Sequence, residues 1–170
     1  MYYKQKQSDG TFTYFESDLE LDIEIATKLT QEEIKGYLLQ KAKTDKLAQL
    51  DSFHASEEVK ILTIKLSTGA TTKIHVDQDT RYLLDEQIYL LNLRKKKGEL
   101  DPKWTYQNGI SLPLTLEMLE GIRLFIGNLV DKNFKTKLNH QKTIQNLNDI
   151  KSIENYDFKK DYLINQILPF

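Results

Sequence analysis

The feature that most constrains this sequence is a predicted hairpin that leads directly into one long amphipathic helix. Trp104 and Tyr106 precede the pair Asn108-Gly109, whose tolerance of positive φ is typical of a hairpin turn. Thr115 then stands where an N-cap is expected. Behind it, apolar residues recur at steps of three and four, at Leu119, Ile122, Ile126, Leu129, Val130, Phe134 and Leu138. This stripe predicts a helix that runs to about residue 144 and buries one face.

The composition of the chain excludes several classes of protein. Its 170 residues, 39% hydrophobic and 29% charged, suffice for one domain or two small ones with a real core. The net charge of −1 gives no field that would attract nucleic acid or an anionic membrane, so we expect neither partner. The absence of cysteine rules out disulfides, thiolate metal sites and a cysteine nucleophile. No apolar run has membrane-spanning length and the N-terminus is polar, which predicts a soluble, cytoplasmic protein without a signal peptide.

Residues 1–50 are predicted to form a hairpin, a strand and a capped helix. Asp9-Gly10 is a hairpin turn between two segments rich in aromatic residues. Strict alternation of apolar and acidic residues over positions 19–25 predicts a half-buried strand. We interpret its acidic face as solvated rather than as a metal site or docking surface. Thr30 and Glu33 form a capping box that opens a helix. The polar residues 51–58 are interpreted as a connector near a domain boundary.

A second hairpin and a second helix are predicted after this connector. Residues 59–66 and 72–76 have the alternation of strands around a turn at Gly69. Asp77 or Asp79 caps the helix that follows, and the basic run 94–97 with Gly98 ends it. The basic run could also contact phosphate, but no aromatic residues are interleaved with it. The helix-end interpretation is therefore favoured.

The C-terminal part of the chain is predicted to hold two short helices. Asn148 or Asp149 caps the first, which carries Ile150 and Ile153. Residues 159–168 are predicted to form the second. The chain then ends in the apolar Phe170, which either packs into the core or binds a partner. The predicted fold class is α+β, with small antiparallel hairpins or sheets and a long amphipathic C-terminal helix.

No residue pattern in the sequence carries a recognisable reaction. His54, His75 and His140 are interpreted as a connector residue, a strand residue and a helix-surface residue, and none has a partner at metal-ligand spacing. The glycines do not cluster into a phosphate-binding loop, and the motifs of serine hydrolases and zinc proteases are missing. We therefore predict a non-enzymatic protein, with no catalytic, cofactor-binding or metal-binding residue and no cofactor.

Aromatic residues are concentrated in the N-terminal hairpin. They are Tyr2, Tyr3, Phe12, Tyr14 and Phe15. A sheet of two or three strands cannot cover so many rings by itself, so either a helix of this chain packs over them or another protein does. Both interpretations stay open, and these five residues together with Phe170 are the candidate partner-binding residues.

The order of parts from residue 59 onward resembles a known family. The parts are a strand pair, a Val-Asp helix start, a tryptophan with a glycine turn, a Leu-Thr helix start and a closing apolar pair. They stand at Gly69, Val76-Asp77, Trp104 with Gly109, Leu114-Thr115, and Ile150 with Ile153. This arrangement resembles a bacteriophage domain of unknown function that is common at the tail-fibre loci of phages and prophages. The resemblance covers about residues 59–156.

The opening of the chain adds a second resemblance. Its hairpin, followed by the helix start from Leu29 to Glu33, is similar to tail-fibre assembly proteins. One departure from the first family is that its members close with Gly-Trp-Pro, whereas Tyr156-Asp157-Phe158 stands here. The predicted domains are therefore residues 1–50, a phage tail-associated domain over 59–158, and a C-terminal extension over 159–170. The family has no established active site, so no functional residue is carried over.

The resemblance implies a protein that works at a phage tail, and two hypotheses follow. The first is a tail-fibre assembly factor or chaperone, which binds the C-terminal region of a fibre through the aromatic hairpin and resides in the host cytoplasm when synthesised. The alternative is a structural tail or fibre-linked virion component, whose long helix pairs with a neighbour or a second copy. The expected partner is a tail-fibre or other tail protein, with a homo-oligomer as a further expectation. An enzyme or nucleic-acid binder is a weaker third hypothesis.

Overall fold

The computed structural model of the chain describes residues 1–22, 26–107 and 111–170, and it confirms the α+β class. The helices are α1 Gln31–His54, α2 Glu57–Lys60, α3 Gln78–Lys96, α4 Leu116–Asn146 and α5 Ile150–Glu154. The strands are β1 Tyr2–Lys6, β2 Phe12–Glu16, β3 Thr27–Lys28, β4 Ile61–Lys65, β5 Thr71–His75, β6 Lys103–Gln107, β7 Ser111–Thr115 and β8 Gln166–Pro169. The predicted long C-terminal helix is α4.

The chain divides into two compact units that do not follow chain order. Unit 1 consists of Met1–Gln49 and Lys142–Asp157, and unit 2 consists of Leu50–Gln141 and Phe158–Phe170. Residues 142–157 thus share a unit with the first 49 residues. Two lysines of α1 hold them there, since Lys43 Nζ donates to the carbonyl of Gln145 at 2.7 Å and Lys46 Nζ to that of Glu154 at 2.6 Å. Each lysine caps orphan carbonyls at the C-terminal end of a helix.

Unit 1 contains the predicted N-terminal hairpin and capped helix. Strands β1 and β2 pair antiparallel, and Gly10 takes φ +87° in the turn between them. The capping box is confirmed, because Thr30 N–H donates to Glu33 Oε2 at 2.9 Å and Glu33 N–H donates to Thr30 Oγ1 at 3.2 Å. Helix α1 continues through His54, so the interpretation of residues 51–54 as connector is wrong. Leu50 and Phe53 are buried there, beneath the polar residues that suggested a connector.

The predicted strand over residues 19–25 is wrong for residues 19–22, and residues 23–25 lie outside the described part of the chain. Leu19 is 74% exposed and stands in an irregular segment. The second edge of β1 pairs instead with the two-residue strand β3, at Tyr3 with Lys28 and Lys4 with Thr27. Alternating apolar and polar residues favour a strand, but a strand also needs the edge of a neighbouring strand to hydrogen bond with.

Unit 2 is built around a three-stranded sheet in the order β5-β4-β8, with β4 antiparallel to β5 and parallel to β8. Helices α3 and α4 contribute to its buried core. The apolar residues of this core include Leu62, Ile64, Ile74, Leu84, Leu91, Leu114, Leu119, Ile122, Ile126 and Leu129. The predicted caps are confirmed: Asp77 accepts from Thr80 N–H at 2.8 Å, and Thr115 Oγ1 accepts from Met118 N–H at 3.3 Å. Strands β6 and β7 form the predicted second hairpin of this unit, whose Asn108-Gly109 turn lies outside the described residues.

The predicted helix over residues 159–168 is wrong, because this segment is irregular and then extends as β8. Asp161 and Asn165 have φ of 67° and 51°, in the left-handed region that interrupts a right-handed helix. After β8, Phe170 N–H donates to the carbonyl of Lys65 at 2.8 Å. The Phe170 ring packs on α4, where a Cβ on Gly121 would lie 3.3 Å from Phe170 Cε1. Of the two interpretations of this residue, packing into the core is therefore correct.

The buried stripe of α4 is confirmed in its first half and corrected in its second. Leu119, Ile122, Ile126 and Leu129 are buried as predicted, whereas Phe134 is 51% and Leu138 39% exposed. The buried positions continue instead through Asn133, Thr136 and His140. These three polar side chains meet the backbone of residues 160–163, with hydrogen-bond distances of 2.8 to 3.5 Å. A backbone segment needs hydrogen-bonding partners, so the stripe is polar where the backbone lies against it.

The central position of this stripe gives a test of the core. We expect Ile126→Asp to destabilise unit 2 by about 4 kcal/mol or more, because it places an unpaired carboxylate where the side chain is fully buried. Leu124→Asp is the matched control, since Leu124 lies two residues earlier on the same helix and is 68% exposed. Thermal unfolding followed by circular dichroism measures both variants. A melting curve for Ile126→Asp that matches the wild type would show that this face of α4 is not core.

Candidate protein-binding surface

The candidate partner-binding residues of the hairpin lie on its two opposite faces. In the antiparallel register Tyr2 stands opposite Glu16, Tyr3 opposite Phe15, and Lys4 opposite Tyr14. Because side chains alternate along a strand, Tyr2, Phe12 and Tyr14 share one face, and Tyr3 and Phe15 share the other.

The face that carries Tyr3 belongs to the interior of unit 1. Tyr3 is only 1% exposed, and its ring stacks on that of Phe15 with centroids 6.0 Å apart. Its hydroxyl accepts a hydrogen bond from Leu21 N–H at 3.2 Å. The prediction of Tyr3 as an accessible partner-binding residue is therefore wrong, and Phe15 is half-buried beside it. Phe170 is half-buried and packs against the core of unit 2.

The opposite face of the hairpin packs on helix α1 through one residue that sequence reasoning did not select, Tyr37. The Tyr37 ring lies 6.0 Å from that of Tyr2 and 5.6 Å from that of Tyr14, the latter pair nearly parallel at 24°. Tyr14 nevertheless remains 44% exposed and Phe12 48%. A helix of the same chain thus covers part of the aromatic face and leaves these two rings accessible. From the sequence, Tyr37 was placed only within the helix that the capping box opens.

A groove of about 570 Å³ opens beside Tyr14 and Tyr37. Its helical wall consists of positions three or four residues apart, which form one face of α1. These lining residues are Glu33, Gly36, Tyr37, Gln40, Lys41, Thr44 and Asp45. Gly36 widens the groove, because a Cβ at this position would meet no atom within 4 Å. We call this surface the Tyr14 groove.

One end of the Tyr14 groove is fixed by the ion pair between Lys4 and Glu33. The hydrogen bond from the Lys4 ammonium, followed by those from the Thr30 backbone and hydroxyl, lowers the pKa of Glu33 to about 2. The same hydrogen bond raises the pKa of Lys4. Lys4 Nζ also lies 5.8 Å from the centroid of the Phe12 ring. The Glu33 carboxylate therefore belongs to the capping box, pairs with Lys4 of the hairpin and lines the groove.

Further along the wall, two charged residues remain available to a ligand. Within the described part of the chain, neither Lys41 nor Asp45 forms an ion pair or a side-chain hydrogen bond. The groove therefore offers a cation and an anion one helical turn apart beside two tyrosine rings. Exposed tyrosine rings with polar residues around them are typical of surfaces that bind polypeptide.

Two of the three histidines meet in unit 2, around Tyr162. The Tyr162 hydroxyl lies 3.3 Å from His54 Nδ1, and its ring stacks on His140 with centroids 5.9 Å apart. His140 is 6% exposed, so its interpretation as a helix-surface residue is wrong. Its Nε2 lies 2.8 Å from the carbonyl of Lys160, and since a carbonyl only accepts, this nitrogen carries a proton.

This cluster supports the backbone of residues 158–163 rather than presenting a reactive group. Burial lowers the pKa of His54, and the charges of Lys137 and Lys60 lower it further. Burial, with the nearby charge of Asp51, raises the pKa of Tyr162 to about 12. Both shifts favour the neutral forms, in which the Tyr162 hydroxyl can donate to His54 Nδ1. The third histidine, His75, lies on β5 at 3.6 Å from the carboxylate of Glu57.

Among the described residues, no group of three or more histidine and acidic side chains is placed to hold a metal ion. Every helix within the described ranges is too short or too polar to cross a bilayer. Comparison with family models, curated proteins and solved structures finds no match to this chain. We therefore infer function from the geometry of the Tyr14 groove and from the motifs of the sequence.

The environment of Glu33 gives a test of how this surface is held together. Its lowered pKa means that the folded chain binds this proton less readily than the unfolded chain. The contribution of Glu33 to stability is thus present above about pH 4.5 and lost as the pH falls toward 2. We expect the Glu33 carboxyl resonance to titrate well below pH 4.5, and Lys4→Met to raise that midpoint.

The control for this titration is Lys6→Met, which removes a lysine from the same face of β1. It should leave the midpoint of Glu33 where it is in the wild type. A wild-type midpoint near the ordinary value of 4.5 would contradict the ion pair and the capping box together.

Proposed function

We propose that this chain is a phage tail-fibre assembly factor that acts by binding a fibre protein, and not by catalysis. The observation that carries the proposal is the Tyr14 groove, an open concave surface with two tyrosine rings and unpaired charges on its wall. Tyrosine supplies a large contact area at low entropic cost and is enriched where proteins bind one another. The similarity of the N-terminal segment to tail-fibre assembly proteins supports the same surface.

The strand that carries Tyr14 supports a polypeptide as the ligand. Strand β2 pairs with β1 and, within the described part of the chain, with no other strand. Its outer edge carries backbone donors and acceptors that an extended segment can pair with. A segment added along β2 would place alternate side chains toward the Tyr14 groove. An extended C-terminal segment of a fibre chain fits this description, and it would be bound in the host cytoplasm as the fibre is synthesised.

The alternative is a structural tail or fibre-linked component of the virion. That hypothesis has α4 pair with a neighbour or a second copy. Asn133, Thr136 and His140 on this helix hydrogen bond to this chain's own backbone. Phe134 is 51% and Leu138 39% exposed, so α4 keeps apolar surface that a neighbour could cover. The assembly factor is the first candidate because the Tyr14 groove favours an extended polypeptide as the ligand.

The test is co-purification with the fibre protein encoded beside this gene, using variants at Gly36. Gly36→Arg places a long side chain into the groove, where the space is open, so we expect binding to weaken by about tenfold or more. Gly36→Ala is the matched control at the same position and should bind as the wild type does. Both substitutions also replace a helix-interior glycine, so neither is expected to destabilise α1.

Two further results complete this test. Tyr14→Ala should weaken fibre binding, whereas Thr13→Ala, which alters the other face of the same strand, should not. The proposal is contradicted if the wild-type chain neither captures the fibre nor increases its solubility on co-expression. Equal capture by Gly36→Arg and Gly36→Ala would show that a different surface binds.

A further inference from the structure

Helix α3 has two apolar faces, and unit 2 buries only one of them. Leu84 and Leu91 are each 1% exposed and contribute to the core, with Ile88 packed against it. The other apolar residues of the helix are exposed. They are Tyr82 at 63%, Leu83 at 37%, Tyr89 at 63% and Leu90 at 41%. An ordinary surface helix has one apolar stripe, so the second requires an explanation.

The exposed residues are arranged as a helix-pairing surface. Tyr82 and Tyr89 are seven residues apart, as are Leu83 and Leu90, which gives two rows along the helix. At 3.6 residues per turn all four lie within an arc of about 120° on the side opposite the core. The partly exposed Leu93 falls within the same arc. We call this surface the α3 face.

The charges on the α3 face change sign along the helix. Asp79 and Glu86 project from the same arc in its first half, and Lys97 follows at its C-terminal end. Arg94, in the last turn of α3, is already paired with Glu99. Within the described residues, no ion pair engages Asp79, Glu86 or Lys97. Asp79 thus gives the face an acidic end and Lys97 gives it a basic end, both unpaired, while Glu86 lies near the middle of the helix.

We propose that this chain forms an antiparallel homodimer through the α3 face. A second copy of the same helix is complementary to this charge pattern when it runs in the opposite direction, because each acidic end then meets a basic end. A two-fold axis at the level of Ile88 places Asp79 opposite Lys97 of the second copy and Leu83 opposite Leu93. Each contact is then made twice, as two-fold symmetry requires. A parallel pair would instead set like charges beside one another.

This dimer is independent of the fibre-binding proposal, because α3 belongs to unit 2 and the Tyr14 groove to unit 1. It would give one assembly factor two copies of the groove. Two linked sites bind a fibre that itself contains repeated chains more tightly than one site, provided that both can be occupied together.

Sedimentation velocity over about a hundredfold range of concentration, up to roughly 0.2 mM, tests the dimer. We expect a dimer in the wild type and at least a tenfold weaker association, about 1.4 kcal/mol, for Leu90→Asp. Leu100→Asp is the control, because Leu100 is 93% exposed and lies beyond the end of α3. Circular dichroism establishes that each variant is folded. A wild-type chain that stays monomeric throughout the range overturns the proposal, and so does a dimer that Leu90→Asp leaves intact.

A charge exchange tests the direction of the two helices. Asp79→Lys and Lys97→Asp should each weaken the dimer, since each sets two like charges opposite one another. The double variant should restore association, because the exchanged charges would again be of opposite sign across the antiparallel interface. Failure of the double variant to recover, with both single variants weakened, excludes the antiparallel geometry. If the wild type is monomeric and Leu90→Asp loses fibre capture, the α3 face is a fibre-binding surface and the dimer is overturned.

Discussion

Burial of the apolar face of helix α4 is the interaction on which unit 2 depends. Ile122 and Ile126 are fully buried against a core to which Leu62, Ile64 and Ile74 of the β4–β5 hairpin contribute. Each such side chain contributes about 1.5–3 kcal/mol when it leaves water. The β4–β5 hairpin alone would be marginal in water, and the apolar face of its sheet contributes to the same core as the helix, so each stabilises the other. Helix α3 and the β6–β7 hairpin contribute to this core as well.

The features that could be predicted from the sequence are those set by neighbours along the chain. The capping box at Thr30, the cap at Asp77 and the turns at Gly10 and Gly69 depend on residues within a few positions, and they were predicted correctly. The helix predicted over residues 159–168 is instead an irregular segment that leads into β8, because β4 offers residues 166–169 an edge to pair with. Asn133 could not be recognised as buried either. Its amide both donates to and accepts from the backbone of Leu163, which no spacing in the sequence indicates.

Some features of the candidate binding surface are also determined by neighbouring residues, whereas others depend on tertiary packing. Strand alternation alone would have separated Tyr3 from Tyr14, since neighbouring and paired positions determine which face each side chain takes. The groove itself required knowledge of what packs on the hairpin. Tyr37 reaches the strand face from a helix more than twenty residues later, and Gly36 creates space only because of where that helix lies. The aromatic excess in the sequence thus marked the hairpin, but it did not indicate which of its rings stay exposed.

The proposed assembly factor would bind its fibre during synthesis and leave before the particle is complete, whereas a structural component would stay in the tail. The most direct measurement is quantitative mass spectrometry of purified phage particles and of the lysate from the strain that carries this gene. We expect this chain in the lysate and not in purified particles. Its presence in particles at a stoichiometry comparable to the fibre would contradict the assembly-factor proposal and make the chain a component of the virion.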